Sequence, residues 1–374
     1  MDPSPLCAVI AVLALVPGLL SLWNLAVFRP PPAAGVAAGP ISLIVPARDE
    51  AANIVACLDA ALLAAGPGDE IVVVDDGSTD GTSVLIAQVA ARDGRVCRLV
   101  PPSLPDGWSG KVHACLRGAE ATTHQTLVFI DADVRLAPGS LARLAAELRR
   151  DGAGLASGFP RERAETFGEI LLVPLIHVLL LGYLPLWLSR RRGDTALAAG
   201  CGQLMVADRD AYFRVGGHGA VRRTWHDGVA LPRAFRAAGE VTALFDATSV
   251  ATCRMYDGFG ASWRGFSKNA TEGLAKPGAL PVWTVLLLGG HVIAPALAVA
   301  ILCGVALPHA GLLVGAVAVL VAARIAVAVR FRQPAAAVLL WPAGVVVTVV
   351  LQWRALLRPS GRAAVWRGRV QTAR

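Results

Sequence analysis

The sequence predicts an α/β protein, a Rossmann-like and mostly parallel sheet joined to transmembrane helices. Two observations predict it. Between residues 41 and about 160, continuous Val/Ile/Leu runs alternate with helix-like intervals, the pattern of strands covered on both faces. In addition, 55% of the 374 residues are hydrophobic, above the share of an ordinary soluble domain, and the excess sits in long apolar stretches towards the two ends.

Taken in order, residues 5–28 (PLCAVIAVLALVPGLLSLWNLAVF) are apolar and long enough to cross a bilayer. No basic residue precedes this run and Arg29 follows it, so segment 1–29 reads as an anchor with its N-terminus outside, rather than a cleaved leader. The Pro/Ala/Gly-rich piece 30–40 reads as a linker. ISLIV (41–45), EIVVVDD (70–76), VCRLV (96–100) and TLVFIDAD (126–133) are the expected strands. Helices are expected over 50–65, 80–92, 110–123 and 138–150. The apolar segment 169–188 lies between two groups of acidic residues that the argument below needs on one side of a membrane, so it is placed flat in the interface, inside a domain spanning 41–275. Apolar stretches at 281–305 and 311–329, joined by a turn without Lys or Arg and followed by Arg330 and Arg332, read as an out-and-back pair. The next stretch, 335–353, reads either as a third crossing, which would put the basic tail outside against the charge rule, or as an interfacial or re-entrant segment around Pro342 and Gly344. It closes a helical region over 276–355, before a basic tail at 356–374.

The net charge of +8 does not point to nucleic acid, because the Arg residues gather beside apolar stretches, as at Arg190–Arg192 and in the tail, where an anionic membrane face is the natural partner. Seven cysteines are scattered singly, without a C-x-x-C pair, and read as reduced thiols.

Asp131 and Asp133, one residue apart at a strand end, can both reach one hard cation such as Mg2+ or Mn2+, which is useful when the bound group is a diphosphate. Two solvated turn aspartates are the alternative. DDGSTDGT places Asp75 and Asp76 at another strand end with glycines in the turn, suited to a base or ribose or simply to a tight turn; VPARDE at 45–50 falls on the same edge. There is neither a G-x-G-x-x-G nor a G-x-x-x-x-G-K-[ST] pattern.

VPARDEAANI, VVDDGSTDGT, GWSGKVHACLRGAEAT, FIDADV, AAGCGQLMVADRDAYFRVGGH and HDGVALPRAFRAAG together resemble, over about residues 41–270, a membrane-bound inverting glycosyltransferase of family 2 with the GT-A fold. The stretch RMYDGFGASWRGFSKN (254–269) is most similar to the branch linked to carotenoid or hopanoid glycosylation. By position, the resemblance implies that Asp49 or Glu50 and Asp76 line the nucleotide pocket, that Lys111 lies near the donor, and that Asp131 and Asp133 hold the metal-diphosphate. It implies Asp227, in a His226-Asp227-Gly228 run, as the catalytic base; an N-cap is the other reading of that residue. The Q-x-x-R-W pattern of processive synthases is absent. The expected protein is a multi-pass enzyme of the inner membrane with a cytoplasmic catalytic domain. It would move one sugar from a nucleotide-diphosphate sugar to a hydroxyl of a membrane lipid, with a polyprenyl-phosphate acceptor or a non-catalytic scaffold or transporter as alternatives.

Overall fold

The computed structural model describes residues 4–33, 39–357, 364–366 and 369–371, so most of the expected basic tail and the middle of the linker lie outside the described residues. The chain forms two compact units. One comprises Met1–Phe28, Glu162–Trp187 and Met255–Ser360; the other comprises Arg29–Arg161, Leu188–Arg254 and Gly361–Arg374. Residues 162–187 and 255–275, which the sequence reading placed within the α/β domain, thus group with the apolar helices.

The α/β unit is built on strands β1 (Ile41–Ala47), β2 (Glu70–Asp75), β3 (Val96–Leu99), β4 (Thr126–Ile130), β5 (Val134–Leu136), β6 (Leu155–Phe159), β7 (Arg161–Glu162), β8 (Leu204–Asp208), β9 (Thr242–Asp246) and β10 (Ala251–Cys253). Seven of them form one sheet in the order β3-β2-β1-β4-β8-β6-β9. The β1–β2, β2–β3, β1–β4 and β6–β9 pairs are parallel, and β8 alone runs against its neighbours β4 and β6. Every residue of β1 is buried, as expected of a central strand with helices on both faces. Because β1 lies between β2 and β4, the connections diverge on its two sides and a crevice opens beyond the carboxyl ends of β1 and β4.

The helices expected in this unit form at Ile54–Ala64, Thr82–Arg92, Gly110–Glu120 and Ser140–Arg150. Strand β4 stops at Ile130, earlier than expected. Asp131 to Asp133 occupy a turn, closed by the Val134 amide donating to the Asp131 carbonyl at 3.0 Å, before β5 begins.

In the other unit, Ser4–Val27, Leu280–Leu302 and Ala310–Arg330 are helices long and apolar enough to cross a membrane. The 169–188 segment is not one helix but the pieces Phe167–Leu172, Leu175–Tyr183 and Leu186–Arg191. Pro174 and Pro185 sit at the breaks, where each ring removes an amide donor. Asn24, fully buried on the first helix, closes the second break: its Nδ2 donates to the Leu181 and Leu184 carbonyls at 2.7 Å, and its Oδ1 accepts from the Leu186 amide at 3.1 Å. Close packing of the first helix depends on small residues, since a Cβ on Gly290 would lie 2.3 Å from the Leu13 carbonyl oxygen. The last apolar stretch is a short turn, Ala336–Leu339, followed by a helix over Trp341–Leu357, with Pro342 in its first turn, where a missing amide is tolerated.

Candidate active site

The crevice is organised by the reversal of β8. Since β4 and β8 pair antiparallel with Ile130 opposite Leu204, the end of β4 and the loop leading into β8 meet, and the Asp131 amide donates to the Gln203 carbonyl at 3.1 Å. The glycines of that loop let a third segment approach. A Cβ on Gly202 would lie 2.2 Å from Asp227 Oδ1, and one on Gly200 would lie 2.6 Å from the Gly228 carbonyl. Asp227 is the first residue of the helix Asp227–Ala237 and His226 is its N-cap, so the reading of Asp227 as a cap residue is corrected by one position. Its Oδ1 accepts from the Gly228 amide at 2.9 Å, and the helix N-terminus favours a negative group there.

Lys111 ties these segments together. Near the start of the helix Gly110–Glu120, its Nζ lies 2.8 Å from Asp131 Oδ1, 3.0 Å from Asp227 Oδ2 and 2.9 Å from the Gly202 carbonyl, three acceptors for the three protons of an ammonium. Asp227 is nearly enclosed, while 29% of the Asp131 side chain remains accessible in the cleft. Burial alone would raise the Asp227 carboxyl, but Lys111, His218 and His226 outweigh it and hold the group below the usual carboxylate value. For Asp131, burial and the charge of Asp227 outweigh Lys111, and its carboxyl is raised. Lys111 itself, despite burial, is held firmly protonated by Asp131 and Asp227.

Asp133 is pushed up to about 7 by burial and by the charges of Asp131 and Glu50, against a hydrogen bond from Cys253. Its Oδ1 is buried without a hydrogen-bond partner, a carboxylate oxygen whose charge is uncompensated on that side. Among the described residues, no three His, Cys, Asp or Glu side chains are grouped so as to hold a metal ion. Hard oxygen donors with one orphaned oxygen nevertheless fit Mg2+ or Mn2+, which take one or two protein carboxylates and complete their shell with waters and substrate phosphates.

The remaining expected residues sit in the adjacent loops. Asp49 has a left-handed backbone (φ 51°) and accepts from the Thr79 amide at 2.7 Å; the Glu50 amide donates to Thr82 Oγ1 at 2.8 Å. These bonds join the turn after β1 to the DDGSTDGT turn after β2. Asp76 is buried and pairs with Arg48, whose guanidinium also donates to the Asp76 backbone carbonyl. Asp75 is fully buried and accepts from Arg98 Nε and Nη2 at 3.0 and 2.6 Å.

Of the seven residues singled out from the sequence, Lys111, Asp131 and Asp227 are brought into direct contact. Asp133 and Glu50 are close enough for their charges to be felt there, and Asp49 and Asp76 occupy the flanking turns. The Gly200–Gln203 run resembles the family's acceptor-side loop in sequence, but that Gly202 forms the floor under Asp227 shows only in the structure. His218, which as an isolated histidine reads from the sequence as structural, lines the cleft, stacks edge-on against Phe129 and is fixed by Tyr212 Oη at 2.8 Å from its Nδ1.

A mostly parallel α/β sheet with acidic turns at the carboxyl ends of β1, β2 and β4 defines a domain of the GT-A class. Residues 42–212 match the family described as "Glycosyl transferase family 2". The chain is 27% identical over 256 residues to "4,4'-diaponeurosporenoate glycosyltransferase" of Staphylococcus aureus (strain USA300); the match covers 67% of this chain and 66%, just under two thirds, of that protein. The fold is similar to that of the mannosyltransferase PcManGT from Pyrobaculum calidifontis, solved in complex with GDP-Man and Mn2+, with a TM-score of 0.57 at 18% identity over 96% of this chain and 99% of that one.

Proposed function

We propose that this protein transfers a single sugar, with inversion, from a nucleotide-diphosphate sugar to a hydroxyl of a carotenoid- or hopanoid-like membrane lipid. The observation that carries this reading is the meeting of Asp131 and Asp227 at Lys111, at the carboxyl ends of the family 2 sheet. In this scheme Asp227, kept ionised at neutral pH, accepts the acceptor's hydroxyl proton as its oxygen attacks the anomeric carbon. The bond from that carbon to the diphosphate oxygen breaks, and one displacement inverts the centre. Asp49, Glu50 and Asp76 line the nucleotide side, and Lys111 attracts the diphosphate.

Asp131 and Asp133 would hold Mg2+ or Mn2+, which when bound neutralises the diphosphate oxygens. The neighbour solved with GDP-Man and Mn2+ supports this assignment. The relative's carotenoid-type acceptor name, together with three helices of span length, supports a lipid acceptor and a multi-pass membrane protein. Arg29, Arg330 and Arg332, each following an apolar helix, support a cytoplasmic catalytic unit of the inner membrane. The lack of Q-x-x-R-W supports single transfer over polymerisation.

The test is Asp227→Asn in purified, lipid-reconstituted protein. Donor binding is expected to persist while transfer of sugar to an extracted lipid acceptor is abolished. The relative's acceptor name ends in -oate, which favours a second reading: an acceptor oxygen that is already anionic, as in a carboxylate or a polyprenyl phosphate, needs no base. Full turnover by Asp227→Asn would select that reading. Absence of metal-dependent nucleoside-diphosphate release with every donor in a panel would leave a scaffold.

A further inference from the structure

We propose that the apolar helical unit contains a buried anion site, centred on Arg324, that takes the carboxylate of an amphiphilic acid drawn from the surrounding bilayer. Arg324 lies in the helix Ala310–Arg330 and is only 4% exposed. Its Nη2 donates to the Ala337 carbonyl at 3.2 Å, whereas Nε and Nη1 are buried without a partner. It lines a narrow cavity with Ser21, Val178, His291, Leu320 and Trp341, and none of the cavity's lining residues is acidic. A guanidinium enclosed by apolar helices, with one neutral acceptor for five donors, is a costly arrangement unless an anion completes it.

A second polar group of the lining, the Trp341 indole, points to the same class of ligand. Trp341 Nε1, which can only donate, and His291 Nδ1 are likewise buried without partners. His291 Nε2 lies 3.0 Å from the Tyr183 hydroxyl, whose own proton goes to the Leu286 carbonyl at 3.4 Å, so Nε2 donates to the hydroxyl and the neutral ring offers the cavity no donor from Nδ1. Arg324 and Trp341, on separate helices that both line this small space, therefore carry three buried donor atoms without partners, which suits an acceptor-only group with several lone pairs.

A carboxylate fits this description, and its source follows from the walls. The helices that enclose the cavity turn Val9, Val16, Val282, Val285, Leu312 and Ile325 outward, so the medium next to them is hydrocarbon and the carboxylate arrives on an apolar chain. This site is independent of the sugar-transfer reading and stands or falls without it.

Trp341 supplies the reporter. The unmodified protein and Trp341→Phe are placed in neutral phosphatidylcholine nanodiscs at alkaline pH and titrated with 9,10-dibromostearate or its methyl ester; the difference between the two proteins isolates quenching of Trp341. The acid should quench it at concentrations at least about tenfold lower than the ester, because only the acid makes charged hydrogen bonds to Arg324. Arg324→Gln should abolish that preference, and Arg324→Lys, which keeps the charge, should retain part of it. Equal quenching by acid and ester in the unmodified protein would overturn the site whether or not the variants fold. An unchanged preference in Arg324→Gln would overturn it as well. Competition by equimolar acetate or inorganic phosphate would assign the cavity to free anions and overturn the amphiphile.

Discussion

Lys111 Nζ contacts Asp227 Oδ2 at 3.0 Å and Asp131 Oδ1 at 2.8 Å, so one ammonium separates two carboxylates that would otherwise face each other across the cleft. This contact keeps Asp227 ionised against its burial. In Lys111→Met the carboxylates lose that shared counter-charge, and the Asp227 pKa rises. The acid limb of the pH profile of kcat/KM should then move up by about one unit or more, with at least about a hundredfold loss at neutral pH. Lys111→Arg should restore little of it, since a planar guanidinium does not present three donors from one atom. An acid limb in the same place for Lys111→Met would show that the lysine does not set the charge of Asp227.

Gly202→Ala tests the floor of the site. The new Cβ would lie 2.2 Å from Asp227 Oδ1 and 3.0 Å from its Cγ, so the carboxylate must swing away while the turns after β1 and β2 keep their geometry. If Asp227 is the proposed base, transfer should fall by about a hundredfold or more, with donor affinity changed less than about twofold, because misplacing such a group by an ångström is enough for that loss. Gly139→Ala is the matched control: φ there is +67° with nothing near the Cβ, so stability falls and turnover at low temperature does not. Turnover and donor calorimetry on the two variants separate these effects.

Much of this could be read in the sequence, and what could not has a physical reason. The strands β1, β2 and β4 announce themselves because both their faces are covered, leaving unbroken Val/Ile/Leu runs. The strands β6, β8 and β9, with sequences LASGF, LMVAD and TALFD, mix small and polar residues in short runs, and the reversed direction of β8 depends on pairing across the chain that no local pattern encodes. Asp131 and Asp133 were visible as a spaced pair at a strand end. Asp227 was reachable only through a family resemblance, because nothing within HDGVALPRAF says that Lys111 lies beside it. The breaks at Pro174 and Pro185 were legible as prolines, but Asn24, which makes the second break tolerable, sits on a helix far away in the chain.

Asp133→Asn addresses the metal assignment directly. In the unmodified protein Asp133 sits at about 7, raised by burial and by Asp131 and Glu50, so a divalent ion must displace a proton to use both oxygens. Mn2+ affinity, followed by the loss of free-ion electron paramagnetic resonance signal, should therefore strengthen with rising pH until Asp133 is ionised, and level off above that. In Asp133→Asn the affinity should drop by at least about tenfold and lose this dependence on pH. Mn2+ binding that ignores the substitution would place the ion elsewhere.

Glu147 gives a stability prediction away from the cleft. On the helix Ser140–Arg150 its side chain is fully buried; Oε1 accepts from Arg150 at 2.6 Å, and Oε2 has no partner. Burial pushes the carboxyl up to about 7 from an ordinary 4.5, more than Arg150 pulls it down. The folded chain thus holds this proton more tightly than the unfolded chain. Its contribution is greatest below pH 4.5, declines as pH rises to about 7, and is flat above. Glu147→Gln keeps an acceptor for Arg150 and removes the titration, so the variant should match the original at acid pH and exceed it by about 1–2 kcal/mol at pH 8, or about 2–4 °C in Tm. Thermal unfolding in one detergent at both pH values checks the sign. A less stable variant at pH 8 would mean that the Arg150 ion pair outweighs the cost of burying the charge.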